Sequence, residues 1–251
     1  MLLDPHTSKI RRFAKNCVAR RLLSGPFAGM RYRGNACGSH LLPKVLGTYE
    51  KEIAPHVMEL IENATGIIID VGCAEGYYSV GALYANPRIE VIAFDSDRTA
   101  RETCLEIATL NALQTRLTLK ERCTPDRLME TVRSTGAKVV IMDIEGYEVE
   151  ILTEVGGAAL FNVSIVVELH ECFRPGAKDV IRRAFKDTHT ITEVMSRQPV
   201  AADLDITIVR AIAKRSTFLC RRFLFERPPQ MSWFIMEPTF QAQAPRLPGT
   251  E

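Results

Sequence analysis

Short apolar runs alternate with longer amphipathic segments from Gly66 onward. The first five runs are short and β-branched or aliphatic, which is typical of strands covered on both sides. They predict strands at Ile67–Val71, Ile89–Phe94, Leu117–Lys120, Val139–Met142 and Val163–Leu169, and two later runs predict strands at His189–Met195 and Met231–Met236. We therefore expect an α/β fold, in which a parallel sheet is flanked by helices.

Amphipathic segments between these runs predict the helices. We place them at Tyr77–Tyr84, Arg98–Asn111, Pro125–Ser134 and Glu148–Glu154, with another after Pro175 that runs to about Lys186. Before the sheet, the pattern predicts a helix at Ser8–Leu23, a glycine-rich loop at Gly25–Gly38 and a helix from about Tyr49 to Glu62. We divide the chain into an N-terminal extension (1–65), an α/β domain (66–240) and a flexible tail (241–251).

Composition excludes several classes of protein. The chain has 251 residues, of which 46% are hydrophobic and 25% charged, a globular balance that excludes disorder, collagen and coiled coil. Its longest stretch without a charge is Val155–Val167, too short to span a membrane. The N-terminus lacks a secretory pattern, and the seven scattered cysteines form no C-x-x-C pair. We expect a cytoplasmic protein with reduced thiols.

Basic residues are concentrated near the N-terminus. Residues 1–35 contain eight Lys or Arg and one Asp, a local charge of +7, whereas the whole chain carries only +2. This arm favours an anionic partner such as phosphate, an acidic glycan or the surface of a membrane. The alternative is a solvated helical face. A second basic stretch, from Arg210 to Arg227, is a candidate extension of the same patch.

A glycine turn follows the first strand of the domain. It reads D-x-G-x-x-x-G from Asp70 through Gly72 to Gly76, whereas a nicotinamide oxidoreductase would need G-x-G-x-x-G. Glycines allow a tight turn close to a ligand. Asp70 favours a ligand with a positive group, and Asp95, at the end of the next strand, is placed to accept ribose hydroxyls. Both features fit S-adenosylmethionine.

The turn resembles that of the class I S-adenosylmethionine-dependent methyltransferases. The resemblance implies a cofactor site with contributions from two acidic strand ends, the turn and the extension. Its candidate residues are Tyr49, Glu50, Asp70, Gly72, Cys73, Ala74, Gly76, Tyr77, Tyr78, Asp95 and Ser96. We interpret Cys73 as a packing residue. Tyr49 and Glu50 belong to a segment that is either a lid over the cofactor or an arm packed on the sheet.

A second cluster of ionisable residues follows the fourth and fifth strands. Asp143 and Glu145 alternate along one strand end, as do Glu168 and His170 along the other, so all four can face one cleft. We predict that His170 is the general base, that Glu168 or Glu145 orients it, and that Asp143 lines the cleft. Such groups also suit magnesium or manganese, but the Asp…Asp-Asn arrangement of catechol-type enzymes is absent and we predict no metal.

The ordered motifs resemble the FkbM-type methyltransferases between Gly66 and Lys186. They are Asp70-Val-Gly followed by Gly76-Tyr-Tyr-Ser-Val, the segment Asp143–Leu152, and Val166-Val-Glu-Leu-His170. The resemblance implies a Rossmann-like, mostly parallel sheet with its last strand antiparallel. It also implies O-methylation of a hydroxyl on a glycan or a natural-product-like small molecule. The sequence departs from the family's pattern at Cys73-Ala-Glu75, where Ala-Asn and an apolar residue are common.

Two other functions compete with this one. The basic arm favours a nucleic-acid or protein methyltransferase, but Asn-Pro-Pro-[Tyr/Phe] is absent, aromatic residues are only 7% of the chain and Trp233 is the sole tryptophan. We therefore do not expect a nucleic-acid partner. The other alternative is a catalytically inactive module that binds S-adenosylmethionine.

Overall fold

The computed structural model describes residues 21–33, 36–215, 224 and 231–239. These residues form a seven-stranded sheet of order β3-β2-β1-β4-β5-β7-β6. The strands are β1 (Gly66–Val71), β2 (Ile89–Phe94), β3 (Leu117–Lys120), β4 (Val139–Met142), β5 (Ser164–Leu169), β6 (His189–Met195) and β7 (Ser232–Pro238). Strands β1 to β5 pair in parallel, whereas β7 is antiparallel to both β5 and β6. The predicted Rossmann-like sheet with an antiparallel last strand is confirmed.

Helices cover both faces of the sheet. They are α1 (Leu41–Leu46), α2 (Ala54–Asn63), α3 (Tyr77–Ala85), α4 (Arg98–Leu110), α5 (Pro125–Thr135), α6 (Glu148–Val155), α7 (Ala177–Phe185) and α8 (Thr207–Arg215). Alternate strand residues point to opposite cores: Ile68 packs with the extension, α3 and α4, and Ile69 packs with α5, α6 and α7. The central strands are therefore buried on both sides, whereas the edge strands β3 and β6 keep exposed polar residues.

Local signals set several of the helix starts. The side chain of Asp97 accepts a hydrogen bond from the Thr99 amide (2.8 Å), which caps α4. Thr124 caps α5 in the same way, and Pro125 occupies its first turn, where no amide hydrogen bond is lost.

The N-terminal extension differs from its prediction in three places. The predicted helix Ser8–Leu23 lies mostly outside the described residues, but its end is not helical, because Arg21 forms an isolated antiparallel bridge with Arg31. Helix α1 was not predicted. Helix α2 begins at Ala54 rather than Tyr49, since the chain turns through Glu50, whose φ is +46°.

The described part of the extension shares the core of the sheet. Leu22, Phe27, Met30 and Tyr32 are at most 2% exposed and belong to one apolar cluster with strands and helices of the domain. Within the described ranges, the chain has no helix of the length and apolarity that crossing a bilayer requires. Most of the basic arm lies outside those ranges, while Arg33 forms an ion pair with Glu106 of α4.

Candidate functional site

A cavity of about 930 Å³ opens at the carboxyl ends of β1, β2, β4 and β5. This is the edge at which open parallel sheets bind ligands. Most of the predicted site residues line it: Tyr49, Asp70, Gly72, Cys73, Ala74, Tyr77, Tyr78, Asp95, Ser96, Asp143, Glu145, Glu168 and His170. The two remaining residues, Glu50 and Gly76, are not part of its lining. The structure therefore brings the predicted cofactor and catalytic groups into one space.

The two glycines of the turn allow close approaches within the chain. Gly72 has a φ of +91°, and a Cβ at this position would lie 1.7 Å from the carbonyl oxygen of Asp143. At Gly76, with a φ of +94°, a Cβ would lie 2.6 Å from Cys104 Sγ. Residues that carry a side chain rarely adopt this backbone conformation. The turn is thus wedged between β4 and α4, and its position over the cavity is set by the fold.

Asp95 joins the end of β2 to the glycine turn. One of its carboxylate oxygens accepts a hydrogen bond from the Ala74 amide and the other from the Asp97 amide, each at 2.8 Å. A carboxylate has about four acceptor sites, so two sites remain for a ligand in the cavity. Asp95 therefore orders the turn and keeps the capacity to accept ribose hydroxyls.

Asp70 is a buried acid beneath the turn. It is 4% exposed and accepts a hydrogen bond from the Ser79 hydroxyl of α3. Burial raises the pKa of Asp70 to about 7; the hydrogen bond from Ser79 opposes this shift, and the nearby charges of Asp95 and Asp143 add to it. Ionisation of Asp70 is costly because the carboxyl is buried and because negative charge lies nearby. A ligand with a positive group would relieve that cost.

A buried ion pair fastens the extension to the glycine turn. Lys44 Nζ lies 2.5 Å from Glu75 Oε1, and both side chains are almost fully buried. Glu75 also accepts hydrogen bonds from the Tyr32 hydroxyl (2.6 Å) and the Cys37 amide (2.8 Å). Burial alone would raise the pKa of Glu75, but the charge of Lys44 and these hydrogen bonds lower it overall. Part of the extension therefore forms one wall of the cavity.

Sequence reasoning missed the pairing of Lys44 with Glu75. The available signal was an acid, Glu75, inside a tight glycine turn that directly follows a buried strand. A buried carboxylate needs a partner. Nothing in the sequence indicated that the partner would come from a segment 31 residues earlier.

Aromatic rings fill the space between the extension and α3. The Tyr77 ring contacts Phe27, Tyr49 and Tyr78 edge to face, with centroids 5.1–5.2 Å apart. Tyr78 donates its hydroxyl hydrogen bond to Glu50, which is 1% exposed. Glu50 therefore lies behind the cavity wall. These contacts favour the packed arm over the lid, because opening would expose several buried rings.

His170 lies at the centre of the second cluster. It follows β5 and is 1% exposed. Its Nε2 atom lies 3.3 Å from Glu145 Oε2, 3.5 Å from Asp143 Oδ1 and 3.8 Å from Glu168 Oε2. Glu145 is directed towards this point from a left-handed turn, with a φ of +55°. The four predicted groups do meet in one cleft.

The carboxylate that holds the other nitrogen of His170 is Glu148. Its Oε1 atom lies 3.2 Å from Nδ1 and accepts the His170 backbone amide at 3.0 Å. The predicted orienting residues, Glu168 and Glu145, instead face Nε2, so that assignment needs correction. Burial lowers the pKa of His170, but its hydrogen bond to Glu148 and the surrounding carboxylates raise it overall. Glu148 was missed because the start of a helix is usually a solvated place for an acid.

Two further aromatic residues line the outer part of the cavity. The Phe173 ring stacks on the His170 ring with centroids 6.0 Å apart, and its side chain is 64% exposed. The Arg122 guanidinium, also in the lining, lies 4.5 Å from the centroid of the Tyr147 ring. These residues provide flat apolar surface and one positive charge beside the acidic cluster.

Comparison with known proteins supports the fold. No protein-family model matches the chain, and no curated protein matches it either. Among solved structures, a candidate tRNA (m1A22) methyltransferase from Streptococcus pneumoniae, in complex with S-adenosyl-L-methionine, aligns with a TM-score of 0.50 and 14% identity. The alignment covers 78% of this chain and 75% of that one.

A precorrin-6Y C5,15-methyltransferase from Geobacter metallireducens is similar to the same extent. It aligns with a TM-score of 0.50 and 12% identity over 76% of this chain and 89% of its own. At identities this low, the structural alignments establish a shared fold alone. The chain therefore has the Rossmann-like fold of the class I S-adenosylmethionine-dependent methyltransferases.

Proposed function

We propose that this protein is an S-adenosylmethionine-dependent methyltransferase that transfers a methyl group to a hydroxyl of a glycan or a natural-product-like small molecule. One observation carries the proposal: Asp70 and Asp95 flank the Gly72 turn inside a cavity at the carboxyl ends of the strands. In this arrangement Asp95 would accept the ribose hydroxyls, and Asp70 would face a positive group of the cofactor. The FkbM-type motifs support the choice of a hydroxyl acceptor.

The cavity has room for two molecules. Its volume of about 930 Å³ is near the upper end of the range for ligand pockets, about 300–1,000 Å³. The cofactor would occupy the part beside Asp95, and the acceptor would occupy the part beside His170 and Asp143. The enzyme's task is to align the acceptor oxygen with the methyl group and to let its proton leave.

Calorimetric titration tests the cofactor. We expect S-adenosylmethionine and S-adenosylhomocysteine to bind, and a nicotinamide dinucleotide used as the control not to bind. The Asp70→Asn variant should bind S-adenosylmethionine more weakly than the wild type. Asp187→Asn, the same change at an exposed site, should not alter binding. Selective binding of the dinucleotide, or of none of the three, would refute the proposal.

The pH dependence of that affinity reports on Asp70 directly. Asp70 has a pKa of about 7 in the free protein, and its surroundings are Ser79, Asp95 and Asp143. A positive ligand must displace a proton from Asp70 below that pH, so affinity should fall by up to about tenfold per pH unit as pH drops. Asp70→Asn should lack this dependence. Identical pH profiles for the two proteins would contradict the role of Asp70.

Turnover tests the acceptor. The protein is incubated with S-adenosylmethionine and with sets of sugars, phenolic small molecules and tRNA, and release of S-adenosylhomocysteine is measured together with methylation of the acceptor. A methylated hydroxyl on a small molecule is expected. Methylation of tRNA would replace the proposed substrate class, and cofactor binding without turnover on any set would favour the inactive module.

A further inference from the structure

Three side chains from the ends of β4 and β5 converge on one point of the cavity. They are Asp143, Glu168 and His170, and one potential ligand atom from each lies within 4.8 Å of the others. Glu168 and His170 are each 1% exposed, whereas the Asp143 side chain is 31% exposed to the cavity. The three side chains therefore lie on a buried floor of the cavity and leave one side open.

The distances from His170 to the carboxylates of Asp143 and Glu168 match those between ligands of one ion. His170 Nε2 lies 3.5 Å from Asp143 Oδ1 and 3.8 Å from Glu168 Oε2, longer than the roughly 2.7–2.9 Å of a charge-assisted hydrogen bond. Atoms bound to one cation at about 2.0–2.3 Å, at angles of about 90–110°, are separated by about 2.8–3.8 Å. An ion fits among these atoms better than a shared proton does.

The opposite side of the imidazole ring is fixed in the way that metal-binding histidines are. Nδ1 faces Glu148 Oε1 at 3.2 Å, and Glu148 is fully buried. A histidine that binds a metal usually donates its other N–H to a carboxylate, and this contact sets the tautomer. With its proton on Nδ1, His170 turns the Nε2 lone pair towards the carboxylates. A cation bound between this lone pair and the carboxylates would offset the repulsion among them.

We propose that Asp143, Glu168 and His170 bind a divalent cation, with Glu145 as a fourth ligand at the open side. Glu145 Oε2 lies 3.3 Å from Nε2, and the Glu145 side chain is 70% exposed. Carboxylate oxygens suit hard cations and the imidazole nitrogen suits transition metals, so the set favours Mn²⁺ over Mg²⁺. This assignment replaces the prediction of no metal and makes His170 a ligand rather than the general base.

The role of the ion rests on the proposed function. An acceptor hydroxyl bound at the open side would lose its proton more readily, because a divalent cation lowers the pKa of a bound hydroxyl. The O–H bond breaks, the oxygen forms a bond to the methyl carbon and the bond from that carbon to sulfur breaks. The products are a methyl ether, S-adenosylhomocysteine and a proton, which passes to solvent through the open side.

Titration with MnCl₂ tests the site on the full chain after chelator treatment and removal of the chelator. Calorimetry and the electron paramagnetic resonance of free Mn²⁺ should both report one saturable site. Asp143→Asn should weaken binding by at least about tenfold, and Glu168→Gln should act in the same direction. Glu171→Gln is the matched control, because Glu171 lines the same cavity outside the cluster. We expect it to bind Mn²⁺ like the wild type.

The outcomes separate this inference from the proposed function. Absence of saturable Mn²⁺ binding, or an equal loss in Asp143→Asn and Glu171→Gln, would overturn the metal site. Thermal melting verifies that each variant is folded; Asp143 is partly exposed, so its variant keeps the test valid if Glu168→Gln is unstable. Binding of S-adenosylmethionine is measured separately with chelator present. Mn²⁺ binding without cofactor binding would sink the proposed function and leave the metal site intact.

Discussion

Replacing Asp70 with Asn should stabilise the protein increasingly as pH rises. Asp70 is buried, and its pKa is raised from 3.8 to about 7. Between these values the folded chain keeps a proton that the unfolded chain has lost. The free energy of unfolding therefore falls as pH rises through this window, and the penalty is constant above it. A carboxyl group whose pKa is raised by folding therefore destabilises the folded state at neutral and higher pH.

The size of the effect follows from the shift. A difference of about three pKa units corresponds to a penalty of up to about 4 kcal/mol at and above pH 7. Asn has nearly the same shape and still accepts the hydrogen bond of the Ser79 hydroxyl, but it never ionises. Within the window, the free energy of unfolding of the variant should therefore rise relative to that of the wild type by up to about 1.4 kcal/mol per pH unit.

Urea unfolding of both proteins measures this difference at intervals from about pH 4.5 to about pH 8.5, with chelator present so that no metal alters the local charge. Asp187→Asn serves as the control for removal of an exposed carboxylate. A difference in unfolding free energy between Asp70→Asn and wild type that stays constant across this range would refute the reasoning. So would an equal pH dependence in the control.

Three further changes test other parts of the site. Asp95→Ala should weaken S-adenosylmethionine binding by about 1–3 kcal/mol in calorimetry, because ribose and backbone hydrogen bonds are lost; an unchanged Kd would contradict its role. Lys44→Met should cost about 3–5 kcal/mol in urea unfolding, because it leaves Glu75 buried without its cation, and adding Glu75→Gln should recover most of that loss. Equal losses in the single and double variants would exclude the pairing. Gly72→Ala should destabilise the fold by well over the roughly 1 kcal/mol expected for Gly136→Ala, measured by thermal melting, since both have positive φ but only Gly72 faces a backbone oxygen at 1.7 Å.

Strand positions were predictable because buried parallel strands have a strong local signal. Four of the seven predicted strands have the observed bounds, among them Ile89–Phe94 and Val139–Met142. Val163, predicted as the first residue of β5, lies just before the strand. The extension was predicted less well, since its glycine and aromatic residues concealed the short helix α1. There, contacts with α3 determine the path of the chain.

The sequence predicted which residues form the candidate site but not which of them contact each other. Asp143, Glu168 and His170 stand at strand ends, so their meeting follows from the parallel sheet. Which carboxylate faces which nitrogen of His170 depends on the turn at Glu145 and the first residue of α6. Glu148 reaches Nδ1 because that turn doubles back, and no periodic pattern in the sequence indicates such a bend.

The sequence by itself determined the order of strands and helices from β1 to β6, the glycine turn with its two acids, and the set of ionisable residues at the strand ends. These features depend on local pattern, on backbone sterics and on the common direction of parallel strands. Tertiary structure alone decided that Lys44 would neutralise Glu75, that burial would raise the pKa of Asp70, and that Glu148 would hold His170. Charge pairing and desolvation depend on distances between segments remote in the chain, which a linear pattern does not contain.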